Sequence, residues 1–175
     1  KTSGNGGAIL ANGNIEISGA NFSGNIASTN GGAIYFQGIQ NRKLTVSDSV
    51  FNGNIAHGED DAYNVGGGAI VHAQGGESLI ERVVFNGHLA PNGGGGALYY
   101  RLGVESIIKS SAFNANISGD FNSDGRGGAI YAVSQLTIQR GTFNGNVASL
   151  QGEGGAIFHD KKGTVRIGNS SFFAN

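Results

Sequence analysis

The sequence predicts an all-β protein: a parallel β-helix, or solenoid, of about six coils with about 30 residues and three short strands in each. Three observations support this fold class. Gly-Gly-Ala followed by Ile or Leu occurs six times, each copy is paired with Phe-x-x-Asn or a close variant, and the apolar residues between them alternate with polar ones. Alternation predicts strands, and a unit this short buries its apolar face only by stacking on its neighbours.

The repeats fill the chain, so the sequence predicts one domain over residues 1–175. The Phe positions are separated by 29, 34, 28, 30 and 29 residues. The approximate repeats, called coils one to six below, are residues 1–30, 31–64, 65–94, 95–126, 127–153 and 154–175. They form a whole number of coils in register, which predicts either part of a longer array or a subunit that stacks end to end.

Each coil is predicted to contribute three strands in order: one from Gly-Gly-Ala-Ile and the residue after it, one from a stretch such as residues 44–46, and one through Phe-x-Gly-Asn-Ile-Ala. The second strand alternates cleanly in four of the six coils. In coils three and four, Ser78 and Ser106 stand where the pattern expects an apolar residue. A one-residue shift or bulge is predicted in these two strands.

The Phe and Asn positions predict two internal columns, in which rings stack and amides hydrogen-bond from coil to coil. The Phe column is Phe22, Phe51, Phe85, Phe113, Phe143 and Phe172, and the Asn column is Asn25, Asn54, His88, Asn116, Asn146 and Asn175. His88 is interpreted as filling a ladder position and not as a ligand, because no second His or carboxylate has matching spacing.

Composition excludes several classes of function. The 11 basic and 12 acidic residues give a net charge of −1 and form no basic run, so nucleic-acid binding is not expected. Cysteine is absent, which removes disulfides, thiolate metal sites and thiol catalysis. No apolar run approaches the roughly 20 residues of a membrane-spanning helix. The 33 glycines come with a single proline and no three-residue period, which excludes collagen.

The paired Gly-Gly-Ala-Ile and Phe-x-x-Asn sequences resemble the repeat of the chlamydial polymorphic outer-membrane proteins, whose passenger regions are similar to those of other autotransporter adhesins. The resemblance covers all six coils, and its departures at the defining positions are Leu98 for Ile and His88 for Asn. It implies a right-handed parallel β-helix, extracellular or on the bacterial cell surface, that presents a long surface for adhesion.

Strand alternation places the residue after each Ile on the opposite side of its strand. These residues are Leu10, Tyr35, Val71, Tyr99, Tyr131 and Phe158, here named the aromatic stripe. If Ile faces the core, the stripe runs along the outside of the rod and is a candidate interaction surface. Two alternatives stay open: the rings face the core, or loops cover them.

The sequence Asp120-Phe-Asn122-Ser-Asp124-Gly has the D-x-N-x-D-G form of a calcium loop, with oxygen ligands on alternate residues and Gly at a sharp turn. An EF-hand is excluded because its twelfth position is Tyr131 and not Glu. A calcium ion at Asp120, Asn122 and Asp124 is therefore considered, with an ion-free turn as the alternative, and no other cofactor is expected.

An enzyme of this fold would need two carboxylates across a cleft, or a basic residue beside a cation-bound substrate. The repeats show neither arrangement, so the sequence predicts no catalytic residue. Glu81 and Lys109 occupy equivalent places on adjacent coils and predict an ordinary ion pair. His57 and His72 are interpreted as surface positions.

The sequence thus predicts a non-enzymatic, extracellular rod with a structural and adhesive role. Its partners would be a protein or glycan on a host or neighbouring cell, or further copies of the chain. One alternative is a subunit of a filament built by end-to-end stacking, and a second is a carbohydrate-active, lyase-like enzyme.

Overall fold

The computed structural model of the protein describes residues 2–39, 41–58, 65–120, 123–149, 151–160 and 162–175. Across these ranges it contains strands but no helix, and hence no helix that could cross a membrane. The strands of each sheet run parallel, one coil apart. The predicted parallel solenoid is confirmed, and its six strand levels make about five full turns.

Four sheets form the walls of the solenoid. Sheet 1 contains β1 (Ile9–Ala11), β5 (Ile34–Phe36), β9 (Ile70–His72), β13 (Leu98–Tyr100), β17 (Ile130–Ala132) and β21 (Ile157–His159). Sheet 2 contains β2 (Ile15–Ser18), β6 (Lys43–Ser47), β10 (Gly76–Glu81), β14 (Val104–Lys109), β18 (Leu136–Gln139) and β22 (Val165–Gly168). Sheet 3 contains β3 (Asn21–Ser23), β7 (Val50–Asn52), β11 (Val84–Asn86), β15 (Ala112–Asn114), β19 (Thr142–Asn144) and β23 (Ser171–Phe173). Sheet 4 contains β4 (Ile26–Ala27), β8 (Ile55–Ala56), β12 (Leu89–Ala90), β16 (Ile117–Ser118) and β20 (Val147–Ala148).

Within the described residues, coils one to five therefore have four strands each, where the sequence predicted three. One residue with positive φ ends each strand of sheet 3, and the strand of sheet 4 begins two residues later. These residues are Gly24, Gly53, Gly87, Ala115 and Gly145, and Ala174 occupies the equivalent place after the last strand of sheet 3. The left-handed conformation interrupts the extended chain, so the predicted third strand becomes two. The prediction was wrong because a pattern of apolar residues does not show where such a turn divides a strand.

The core consists of columns that keep the same register from coil to coil. In sheet 3 the rings from Phe22 to Phe172 stack with centroids 4.7 to 5.1 Å apart, close to the spacing of paired strands. The Ile of Gly-Gly-Ala-Ile faces inward in sheet 1, where Ile34, Ile70 and Ile130 are buried. The predicted Phe column is thus confirmed.

Ser78 and Ser106 lie in the core with no bulge. The pairing of β10 with β6 sets Ser78 beside Leu44, and β14 pairs with β10 residue for residue, so the predicted one-residue shift is wrong. Both serines are buried, and the hydroxyl of Tyr100, which is itself fully buried, lies 3.4 Å from Ser78 Oγ. Small side chains here compensate for one large ring, because protein cores keep close to constant packing density.

The Asn column forms the predicted ladder. Asn116 shows the pattern: its Nδ2 donates to Asn146 Oδ1 at 2.8 Å and to the Phe85 carbonyl at 3.3 Å, and its backbone N–H donates to the same Oδ1 at 3.1 Å. The equivalent amide pairs are Asn25 with Asn54 at 2.8 Å and Asn146 with Asn175 at 2.7 Å. Buried amides cost little free energy when each donor and acceptor is paired in this way.

The two positions of each Gly-Gly pair require glycine for different physical reasons. Gly31 has a φ of +62°, a conformation that residues with a Cβ rarely adopt. Gly32 has an ordinary φ, but a Cβ there would collide with the carbonyl oxygen of Gly68 in the next coil and approach Ile55 N to 2.6 Å. The first glycine turns the chain, and the second lets adjacent coils meet backbone to backbone.

We expect Gly32→Ala to destabilise the fold by about 3 kcal/mol or more, because the obstructing atoms belong to backbone and cannot rotate away. The midpoint of urea unfolding measures this effect. Gly13→Ala is the matched control, because a Cβ added at Gly13 would meet no atom within 4 Å and the residue has no positive φ. An equal midpoint for the two variants would contradict this account of the close approach.

We expect Ala115→Gly to stabilise the fold by about 0.5–1 kcal/mol, because Ala115 adopts a φ of +51° where most coils have Gly. Ala112→Gly, three residues earlier in β15, should instead destabilise by about 0.5–1 kcal/mol, because glycine loses more entropy in a strand. Urea unfolding of both variants checks the opposite signs. Destabilisation by both would show that the left-handed turn stores no strain.

Candidate functional site

The aromatic stripe lies on the outer side of sheet 1, but the structure covers it. Tyr35 and Tyr131 are each 8% exposed, Tyr99 is 2% exposed and Val71 is fully buried. Together with Ala73 they form a second apolar cluster outside the main core. Of the two alternatives left open by the sequence, the one in which other segments cover the rings is found, and the stripe offers little surface to a partner.

Segments just before the Gly-Gly pairs, together with arginine side chains, cover the rings. Gly94 packs so closely on Tyr131 that a Cβ at this glycine would collide with the ring. The Arg101 guanidinium lies over the Tyr99 ring at 5.5 Å, and Arg126 lies over Phe158 at the same distance. Burial raises the pKa of Tyr99 to about 12, which keeps its hydroxyl neutral.

Leu10 in coil one and Phe158 in coil six remain more open, with Leu10 54% exposed and Phe158 partly buried. In the central coils the covering segments have few apolar residues and look like turns in the sequence. For this reason, strand alternation predicted correctly that the aromatic stripe lies on the outer side of sheet 1 but left the exposure of its side chains undecided.

The structure describes two of the three predicted calcium ligands, Asp120 and Asp124, whereas Asn122 lies outside the described residues. The Asp120 backbone N–H donates to the Ser123 carbonyl at 3.1 Å. Among the described ranges, no three His, Asp or Glu side chains come together as a metal site. Calcium binding at this turn stays a prediction.

A cavity of about 250 Å³ lies beside this turn and is lined by Asp124, Arg126 and Tyr131 together with Val65 and the backbone of Gly93 and Gly94. The Arg126 Nε atom is 3.9 Å from a Glu153 carboxylate oxygen, and both side chains are more than half exposed. An exposed pair at this distance contributes little stability.

Two carboxylates come together on the outer side of sheet 2, an arrangement that the repeat pattern did not predict. Glu77 and Glu105 are register partners on β10 and β14, and both line a shallow cavity of about 330 Å³. Lys43 Nζ lies 3.7 Å from Glu77. The two carboxylates are neighbours on one surface and do not face each other across a cleft.

The predicted ion pair between Glu81 and Lys109 is replaced by another. The two residues are register partners, as predicted, but the Glu81 carboxylate lies 3.1 Å from the Arg82 guanidinium. Arg82 also binds Asp48 through two hydrogen bonds of 2.6 and 2.8 Å. Its bidentate hydrogen bond with Asp48 lowers the pKa of that carboxyl. Arg82 adopts φ +53°, as do its equivalents in neighbouring coils, Asp48 and Ser110, within about 5°.

His72 is fully buried, and its interpretation as a surface residue was wrong. It occupies the third position of β9, beside Phe36 of β5 and Tyr100 of β13, so it points into the core. Burial lowers the pKa of His72 to about 4. His57, by contrast, is partly exposed, in line with its interpretation.

The largest feature that the sequence patterns did not predict is a flank without charge. No Asp, Glu, Lys or Arg occurs in the segments that run from the turn before sheet 3 to the end of sheet 4, namely residues 20–28, 49–57, 83–91, 111–119, 141–149 and 170–175. All 23 charged residues of the chain therefore lie elsewhere. We name the outer sides of sheets 3 and 4 the uncharged flank.

Two in-register columns mark the uncharged flank. One is aliphatic and consists of Ile26, Ile55, Leu89, Ile117 and Val147, of which Ile117 is 37% and Val147 46% exposed. The other is a second amide ladder, in which Asn114 Nδ2 donates to Asn86 and Asn86 Nδ2 donates to Asn52, each at 2.9 Å. The flank thus combines apolar contact area with amide hydrogen-bonding groups.

The left-handed turn explains why this flank was missed. In one continuous strand, Ile26 would share the inward side of Phe22. The positive φ of Gly24 resets the alternation, so that Asn25 joins the internal ladder, Ile26 faces outward and Ala27 is buried. The available signal was the absence of charge from six equivalent segments.

Comparison with known proteins gives a family model and no individual relative. Neither the curated proteins nor the solved structures compared contain a significant match. The model of the Chlamydia polymorphic membrane protein repeat matches residues 19–37 and 141–160. Each match begins just before Phe-x-Gly-Asn and ends just after the next Gly-Gly-Ala-Ile, so it covers one pair of the repeated sequences. The chain therefore carries repeats of the chlamydial polymorphic membrane protein type, folded as a parallel β-solenoid.

Proposed function

We propose that this chain is a non-enzymatic rod of a bacterial surface protein, located outside the cell, which adheres to a partner through the uncharged flank. The observation that carries the proposal is the polymorphic membrane protein repeat folded into a continuous solenoid. That repeat family is associated with the outer membrane or cell surface, which supports the location.

The physics of the flank supports a binding role. Removing uncharged side chains from water costs far less than removing charged ones, and the centres of protein interfaces are depleted of charge. The aliphatic column supplies contact area, and the outer Asn ladder holds its amides in fixed positions, so little side-chain entropy is lost on binding. The partner that fits is an uncharged protein or glycan surface on a host or neighbouring cell.

The rigidity of the rod supports a structural role as well. Stacked Phe rings connect every coil to the next, and each sheet adds a parallel backbone ladder. Paired Asn amides join coil one to coil two and coils four, five and six to one another. A non-catalytic role is favoured because Glu77 and Glu105 lie side by side on one sheet, whereas the carboxylates of a glycosidase flank the bond to be cleaved. End-to-end filaments stay an alternative, which electron microscopy of the purified chain tests directly.

Adhesion is tested with beads coated with the chain and a panel of epithelial and bacterial cells, some treated beforehand with protease or glycosidases. We expect wild-type beads to bind at least one cell type, and Ile117→Lys with Val147→Lys to reduce binding at least tenfold, because the new charges must be desolvated at the interface.

The matched control is Ile107→Lys with Gln139→Lys, which adds the same two charges at exposed positions on the outer side of sheet 2. It should bind as the wild type does. Urea unfolding of each variant checks that the fold is intact. Equal binding by all variants would remove the uncharged flank from the proposal, and binding to no cell type would remove adhesion itself.

A further inference from the structure

Coil three contains two fully buried histidines, His72 and His88. Each leaves one ring nitrogen without a hydrogen-bond partner: Nδ1 in His72 and Nε2 in His88. The other described coils have Asn at the ladder position of His88. Coil three therefore differs from its neighbours in a way that the repeat itself does not require.

His88 interrupts the Asn ladder, and its hydrogen bond with Asn54 forms only when the imidazole ring is neutral. The Asn54 backbone N–H donates to His88 Nδ1 at 2.9 Å, so Nδ1 must carry no proton and the ring proton lies on Nε2. A second proton, on Nδ1, would make the ring N–H and the Asn54 backbone N–H two donors that face each other. Since the ring is fully buried, neither water nor rotation relieves that contact.

His72 is neutral for a similar reason. Its Nε2 lies 2.6 Å from the Gly75 carbonyl oxygen, which can only accept, so this nitrogen carries the ring proton and Nδ1 is bare. The ring meets Phe36 edge to face at 4.6 Å. A proton on Nδ1 would place an unpaired positive charge in an apolar core, which is costly.

Among the residues that the structure describes, no charged group faces either imidazole. The groups packed on His88 are Phe85, Asn54, Asn116 and the backbone of Phe51, none of which titrates. Beside His72 the titratable group is Tyr100, whose pKa burial raises and which therefore stays neutral. The nearby carboxylates, Glu77 and Glu81, lie on the outer side of β10 with Lys43 and Arg82 as partners.

We propose that coil three is an acid-sensitive joint at which the rod opens before its other coils do. The unfolded imidazole has a pKa of about 6.5, whereas burial lowers the pKa of His72 and of His88 to about 4 in the folded chain. A lowered pKa means that the open state binds more protons. Stability of this coil is therefore complete above about pH 6.5 and is lost as the pH falls toward 4.

The size of the effect follows from linkage. At pH 5 each imidazole raises the equilibrium constant for opening about 30-fold, and the two together raise it about 900-fold if opening exposes both. The backbone ladders of a solenoid connect each coil only to its neighbours, so opening coil three sacrifices its interfaces with coils two and four. The one further bond across the joint among the described residues is the 3.4 Å hydrogen bond from Arg101 Nη2 in coil four to Asn30 Oδ1 in coil one. The rod would come apart into two ordered segments.

Hydrogen exchange at pH 8 and pH 5, corrected for the intrinsic pH dependence of exchange, tests the joint. We expect protection of amides in residues 70–76 and 84–90 to fall by about 30- to 900-fold. Coil five is the internal control, because it carries Asn146 at the ladder position and has no histidine. An equal loss of protection in coils three and five would overturn the proposal.

Two variants assign the effect to the buried rings. His88→Asn restores the ladder residue and should reduce the acid-induced loss in coil three to about 30-fold, the share of His72. His57→Asn changes a partly exposed histidine next to coil three and should leave the loss unchanged. An undiminished loss in folded His88→Asn, or an equal reduction in His57→Asn, would also overturn it.

Discussion

The structure depends on one constraint: the same atoms of successive coils must meet at a spacing of about 4.8 Å, without drift, over all six levels. The second glycine of each Gly-Gly-Ala sets this limit, because backbone approaches backbone there and no side chain fits. Fixed spacing then lets Phe rings stack and lets buried amides find partners at hydrogen-bond distance. A single coil has none of these contacts on its own, so packing, polar satisfaction and sheet pairing all arise together from stacking.

The sequence predicted the parts of the fold that depend on repetition. Six copies of two short sequences were enough to predict parallel stacking, the inward Ile and the Phe and Asn columns. It failed where one residue changes the local geometry. Gly24 and its equivalents adopt a left-handed conformation, and this reverses the alternation that a pattern of apolar residues assumes. Ser78 was misjudged because its partner in volume, Tyr100, is 22 residues away in the chain and adjacent only in the folded core.

The candidate site was predictable only in part, for related reasons. Alternation gave the side of sheet 1 on which Tyr99 and Tyr131 lie, but burial there depends on Gly94 and Arg101, whose positions come from tertiary structure. The uncharged flank differs, because its signal is present in the sequence alone. No single residue marks it, and it becomes visible when equivalent positions of six coils are compared for what they lack.

The Asn ladder also gives the rod a direction. Asn25 donates its amide to Asn54, Asn116 donates to Asn146 and Asn146 donates to Asn175, always from the earlier coil to the later one. The side-chain dipoles therefore point the same way, and neighbouring hydrogen bonds polarise one another. Within this internal ladder each coil accepts from the earlier coil and donates to the later one, whereas the outer ladder runs the opposite way, from Asn114 to Asn86 to Asn52. The two sides of each coil therefore differ in their hydrogen-bonding groups, as the two ends of a directional polymer do.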